Sequence, residues 1–146
     1  MPEAFESVYH VLGKDFSNAG KVSTSIKDTL KRLGVSPAVV RRVAIVSYEA
    51  EMNLVMYATR GEMSLSVSSD AVTLKVEDEG PGIPDVSLAM QEGWSTATPE
   101  MREMGFGAGM GLPNIKRNAD EFEISSEVGR GTRLFVRVTQ NMQGSP

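Results

Sequence analysis

The chain has 146 residues, 40% of them hydrophobic, which is enough for one compact core and too little for two ordinary domains. It contains no cysteine, so disulfide frameworks and thiolate metal sites are excluded, and a formal net charge of -4 gives no general field to draw in nucleic acid. The opening Met-Pro-Glu-Ala-Phe-Glu has no basic and apolar leader pattern and no run approaches a membrane span, so a cytoplasmic protein without nucleic-acid or membrane partners is expected.

Residues Phe5 to Leu12 mix aromatic and β-branched side chains and stop at Gly13, the pattern of a strand. Val22, Ile26, Leu30 and Leu33 then recur on one helical face, with Gly34 as a stop. Ser36-Pro37 starts a second helix: the serine can cap free N–H groups, and proline at the first position gives up a donor that had no partner. This helix is expected to run to near Gly61, with Val43, Val46, Ala50, Leu54 and Tyr57 as its core stripe, Asn53 at the edge and Glu49 on the shoulder.

From Glu62 the period becomes two. Met63, Leu65 and Val67, a Ser69-Asp70 turn, then Val72, Leu74 and Val76 predict a hairpin with one dry face. A second pair places Phe122 and Ile124 before a Gly129-Arg-Gly131 turn and Leu134, Val136 and Val138 after it. The predicted fold class is α+β: a two-layer sandwich whose mixed, largely antiparallel sheet is covered by helices on one face. Residues 1–139 form the expected domain and 140–146 a loose tail.

Three segments carry chemistry. Glu49 and Asn53 lie at i and i+4, so both project from one part of the helix. A carboxylate there can take a proton from a hydroxyl, and a neutral amide oxygen suits a hard cation such as Mg²⁺; the alternative is a pair of solvated helix polars. Asp78 ends an alternating strand and can accept a hydrogen bond from an exocyclic amine such as that of adenine, while Gly80 and Gly82 allow a tight turn. An ordinary acidic turn is the alternative there. Gly105, Gly107, Gly109 and Gly111 precede the helix start Leu112-Pro113, bare amides that suit phosphates, or else a glycine hinge. The spacing matches neither G-x-G-x-x-G nor a G-x-x-x-x-G-K-[ST] loop. Taken together, the three segments are the chemical kit of an ATP site.

In this order they resemble the N box, the G1 box (Asp78 to Ile83) and the G2 box (Gly107 to Leu112) of the GHKL, or Bergerat-fold, ATPases, with Gly131-Thr132 similar to that family's final G-T. Within the family the chain most resembles the small anti-sigma-factor and stress-switch serine-protein kinases of bacteria. The resemblance implies ATP and Mg²⁺ as cofactors, Glu49 as the general base or hydroxyl-orienting residue, Asn53 as the Mg²⁺ ligand and Asp78 as the acceptor of the adenine amine. It further implies that Gly80 and Gly82 pass close to the base, Ile83 packs under the nucleotide, and Gly107, Gly109 and Gly111 wrap the phosphates. Gly105 extends the glycine run upstream of the usual box, Leu112 closes the box, and Arg102 lies in a Thr98-to-Arg102 stretch similar to a γ-phosphate lid. The segment Pro84 to Met104 is a short lid with Trp94 as its large aromatic. Lys116 and Arg117 on the following helix are further phosphate candidates, and the lone His10 is assigned a structural or surface role.

The expected function is a serine/threonine-protein kinase that phosphorylates a small regulatory protein of the STAS or anti-anti-sigma type in a partner-switching pathway; the expected partners are a STAS-domain or sigma-factor-like regulatory protein, with a homodimer left open. The alternative is an ATP- or ADP-gated switch protein that binds its partner with little transfer. A detached histidine-kinase catalytic domain is disfavoured for want of a phosphoacceptor helix. Gyrase-like or chaperone ATPases are disfavoured for want of a following domain.

Overall fold

The computed structural model describes residues 5–91 and 111–140. Five strands form one sheet: β1 (Phe5–Leu12), β2 (Arg60–Val67), β3 (Ala71–Glu79), β4 (Glu121–Glu127) and β5 (Gly131–Thr139), in the order β1-β2-β3-β5-β4. All four pairings are antiparallel. Among the described residues the α-helices are α1 (Lys21–Arg32), α2 (Pro37–Tyr57), the short α3 (Val86–Ala89) and α4 (Gly111–Arg117). The predicted two-layer α+β arrangement is the one observed.

Alternation decides which sheet face is dry. Met63, Leu65, Val72, Leu74, Val76, Val136 and Val138 are all buried, whereas the intervening Glu62, Lys75, Glu77 and Arg133 stay exposed. Asp78 continues the inward row of Leu74 and Val76, so a carboxylate sits where the apolar face runs out.

The central helix is α2, which packs on β1, β2, β3 and β5 and also receives α1 and α4. It is therefore buried on more than the predicted stripe: Val40, Met52, Val55 and Met56 join Val43, Val46, Ala50 and Leu54 in the core. Its start follows the sequence, with the Ser36 side chain accepting from the Val39 N–H at 3.4 Å and Pro37 at the first position.

Two boundaries differ from expectation. The helix α2 stops at Tyr57, with Ala58 already extended, and Gly61 is a β2 residue paired with Asp78 and lying against the Leu54 side chain. The chain needs those residues to begin the strand that delivers Met63 to the core. Leu33, placed on the α1 stripe by periodicity, is 44% exposed because α1 has ended at Arg32. The N–H groups of Gly34 and Val35 bond back to Lys31 O and Leu30 O at 3.1 Å each, and Val35 takes the apolar place. Gln140 is pinned to the β2–β3 turn through Asp70 O and Ser68 O, both at 2.7 Å; residues 141–146 lie outside the described residues.

Helix α4 is fixed at both ends of its length. Leu112 and Ile115 are buried in the core, and Arg42 of α2 donates from Nε to Asn118 O at 3.1 Å and pairs with Asp120 at 3.2 Å just beyond α4. Among the described residues, no helix is long and apolar enough to cross a membrane.

Candidate functional site

The helix α2 acts as a ruler for the site. Glu49 and Asn53 are half-buried on one side of it, eight and four residues before Tyr57, or about 12 and 6 Å along the axis at 1.5 Å per residue. Gly111, the first residue of α4, lies directly over them: a Cβ there would be 3.4 Å from Asn53 Oδ1 and 3.5 Å from Glu49 Oε1. The first and third sequence segments thus meet. Gly80 lies at the other end of the ruler, where a Cβ would be 3.1 Å from Ala58 Cα and 3.5 Å from Asp78 Oδ1. The second segment is therefore lined up along the same helix.

The Asp78 end is built from four places in the chain. Asp78 Oδ1 accepts from the Thr132 N–H at 3.1 Å, and Thr132 Oγ1 shares a hydrogen bond with Ser126 Oγ at 2.8 Å. Ser126 Oγ in turn accepts from the Ile83 N–H at 2.7 Å, and Ile83 packs partly buried against the core. Gly131 must be glycine here, since any Cβ would fall 1.9 Å from Asp78 O and 2.8 Å from Asp78 Oδ1. Gly82 has φ +76°, and its Cβ would strike Glu127 O at 2.4 Å, so both the turn and the close approach exclude a side chain. Backbone bonds from Gly80 N to Arg130 O and from Gly129 N to Pro81 O, each 2.9 Å, lock this turn to the β4–β5 turn.

Burial pushes the Asp78 carboxyl above its ordinary value, opposed by a smaller downward pull from the Thr132 N–H. A carboxyl whose pKa is raised by folding stabilises the fold below its unfolded value, and that contribution is lost as pH rises through the folded value. At neutral pH the ionised Asp78 is thus a cost to the empty fold. Its Oδ2, like the amide of Asn53, has no hydrogen-bond partner among the described residues.

At the other end, Asn114 Nδ2 donates to Glu49 Oε2 at 3.1 Å, and Arg117 Nη1 donates to Asn114 Oδ1 at 2.9 Å. Lys116 is exposed on the same helix. A hollow of about 740 Å³ lies on the outer face of the sheet, lined by His10, Glu62, Glu77 and Arg133 as well as Asp78 and Thr132, and one of about 720 Å³ between α1 and α2 ends at Glu49. His10 lies on the outer sheet face, 3.8 Å from Glu62 and away from both α2 and α4. Arg102, Gly105, Gly107, Gly109 and Trp94 lie outside the described residues. No group of three or more His, Asp or Glu side chains able to hold a metal occurs among the described residues.

Sequence reading missed Ser126, Asn114 and Glu51. Ser126 had a signal, because it is the next inward position after Phe122 and Ile124 and is polar. Glu51 is 1% exposed and accepts the N–H groups of Gly20, Val22 and Ser23 at 3.0, 3.2 and 2.8 Å, fastening the start of α1 to α2. Its signal was an α1 with no acidic residue in its first turn and a glycine at its N-cap, a helix start that needs a cap from elsewhere.

Comparison with known proteins matches residues 38–142 to the family described as histidine kinase-, DNA gyrase B-, and HSP90-like ATPase. The serine/threonine-protein kinase RsbT of Bacillus subtilis (strain 168) is 32% identical over 112 residues, covering 74% of this chain and 78% of the kinase. An anti-sigma F factor of Thermoanaerobacter sp. (strain X514) is 39% identical over 74 residues, 51% of this chain and 47% of that protein. Another, from Caldanaerobacter subterraneus subsp. tengcongensis, is 34% identical over 97 residues, 63% of each chain. This chain therefore spans less than two thirds of those two anti-sigma factors. With an open antiparallel sheet covered by helices, an acid at the end of β3 and a glycine lying over a Glu–Asn pair on α2, the chain belongs to the histidine kinase-, DNA gyrase B- and HSP90-like ATPases, and its nucleotide is ATP.

Proposed function

We propose that the chain is a serine/threonine-protein kinase that moves the γ-phosphoryl group of ATP onto a small regulatory protein of the STAS or sigma-factor-like class. The observation that carries it is the meeting of Gly111 with Glu49 and Asn53, which sets a proton acceptor and a neutral amide oxygen beside the start of the glycine-flanked helix. The kinase among the relatives supports the choice of reaction.

Asp78 Oδ2, without a hydrogen-bond partner among the described residues, accepts the adenine amine while Oδ1 is held by the Thr132 N–H. Gly80, Gly82 and Ile83 shape the floor beside it. Gly105, Gly107, Gly109 and Gly111 give their N–H groups to the phosphates, with Arg102 at the γ-phosphate and Leu112 anchoring the helix that follows. Asn53 fits Mg²⁺ as a single neutral ligand, since that ion keeps waters and phosphate oxygens for most of its sphere. The ion supplies charge neutralisation on the phosphates when bound. Glu49 receives the proton of the attacking hydroxyl, and the remaining work is positioning, because phosphoryl transfer asks for little covalent help from protein.

The test is to incubate the protein with Mg-ATP and candidate STAS-domain and sigma-factor partners and weigh each by mass spectrometry. One added phosphate on a partner serine or threonine supports the kinase. Partner capture that depends on ATP or ADP with no added phosphate supports the second reading, a nucleotide-gated switch, which the anti-sigma relatives favour.

Asp78→Asn should weaken ATP binding by about 1.5 to 3 kcal/mol, tenfold to somewhat over a hundredfold, by losing a hydrogen bond to a charged acceptor. The substituted amide can still accept from Thr132, and the charge it removes opposes folding, so the melting temperature of the empty protein should hold or rise. Calorimetric titration and a thermal melt read the two effects; unchanged affinity would exclude Asp78 as the adenine acceptor. For the parent protein, ATP affinity should be lost as pH falls through the raised Asp78 pKa, because the protonated carboxyl has a donor where the amine needs an acceptor. An affinity flat with pH down to the ordinary carboxylate range would contradict this.

A further inference from the structure

We propose that Asn114 is a positioning residue for Glu49, by which the helix after the glycine-rich segment aims the carboxylate that receives the hydroxyl proton. The inference rests on the reading of Glu49 as general base. A carboxylate on a helix surface turns broadly about its last torsion, so which oxygen faces the substrate is undetermined unless one of them is held. Here Oε2 is held: the Asn114 amide donates to it at 3.1 Å across 65 residues of sequence. Oε1 is the Glu49 oxygen nearer Gly111 and has no hydrogen-bond partner among the described residues.

The orientation of the Asn114 amide is itself fixed. Arg117 Nη1 donates to Oδ1 at 2.9 Å, and since a guanidinium can only donate, the NH₂ must be the group that faces Glu49. The backbone beneath is equally constrained. Asn118 Nδ2 donates to Asn114 O at 2.9 Å, Ile115 is fully buried, and Arg42 ties the end of the helix to α2. An asparagine held at both ends of its amide, between a base on one helix and a guanidinium on its own, carries the position of α4 to the base.

In the step this serves, the acceptor hydroxyl gives its proton to Glu49 Oε1 as its oxygen bonds to the γ-phosphorus. The bond from that phosphorus to the bridging oxygen breaks, and ADP leaves with the electron pair. Glu49 then returns the proton to solvent. Holding Oε2 in a hydrogen bond leaves Oε1 as the one basic oxygen in line with the hydroxyl.

The test uses the full chain, Mg-ATP and the phosphoacceptor protein identified by mass, with Asn114→Asp and Asn114→Ala. Asn114→Asp keeps the shape, removes the donor and sets an acceptor against Glu49; Asn114→Ala removes the donor alone. Both should lower kcat for transfer by about tenfold to 10²-fold, the scale of a misaligned catalytic group, with KM for ATP and Tm unchanged. In a Glu49→Gln background the same changes should cause no further loss, because there is no base left to aim. Unchanged kcat in both variants, or a fall in kcat accompanied by a raised KM and a lowered Tm as a purely structural role demands, would overturn the proposal. Full activity of Glu49→Gln alone would instead remove the general-base reading beneath it.

Discussion

Glu49→Gln should leave Mg-ATP affinity nearly intact while cutting transfer to the acceptor protein by about 10²-fold or more. Glutamine has the shape of glutamate and its amide oxygen can still accept from Asn114, so the junction of α2 with α4 survives. What it cannot do is take a proton from a hydroxyl. The loss therefore falls on the chemical step alone, the signature of an interaction made only in the transition state. Single-turnover rates with labelled ATP measure it, and transfer at the parental rate would place the base elsewhere.

Glu51→Ala should cost about 3 to 5 kcal/mol of stability, a large effect for a polar side chain. The carboxylate is 1% exposed and collects three N–H groups at the start of α1, whose own N-cap is Gly20 and offers no side-chain acceptor. Alanine leaves the buried Ser23 N–H without a partner and strips the part-buried N–H groups of Gly20 and Val22 of theirs, at about 1 to 3 kcal/mol for each that water cannot reach. For a domain of this size the melting temperature should fall by roughly 10 °C or more. Glu51→Gln, which keeps one acceptor oxygen, should lie between. A Glu51→Ala melt within a degree or two of the parent would mean that the start of α1 is solvated.

The strands were legible because their side-chain period is two and one face is dry, so Met63-Leu65 and Val72-Leu74-Val76 announce both the element and its orientation. The start of α2 was legible because Ser36-Pro37 carries its own capping chemistry. Its end was not: Gly61 looks like a helix stop, but its role is to pair with Asp78 beneath Leu54, a contact between distant segments that no local pattern encodes. The site divides the same way. Glu49, Asn53 and Asp78 could be singled out because each is a polar residue at an informative place on its own element. Asn114, Ser126 and Glu51 act through partners 65, 43 and about 30 residues away, and only the fold brings those partners within reach.

Glu49 and Glu51 show how little separates the two kinds of carboxylate in sequence. Two residues apart on a helix turn the side chains by about 200°, so one faces Gly111 and the other the start of α1. Glu51 has both oxygens engaged by N–H groups, whereas Glu49 Oε1 has no hydrogen-bond partner among the described residues.

The most direct test of the whole account is a crystal structure of the protein with Mg²⁺ and a non-hydrolysable ATP analogue. The adenine amine should lie within hydrogen-bond distance of Asp78 Oδ2, with the terminal phosphate at the other end of α2, beside Gly111, Asn53 and Glu49. A purine bound away from Asp78, or phosphates that never approach the Glu49–Asn53 pair, would contradict it.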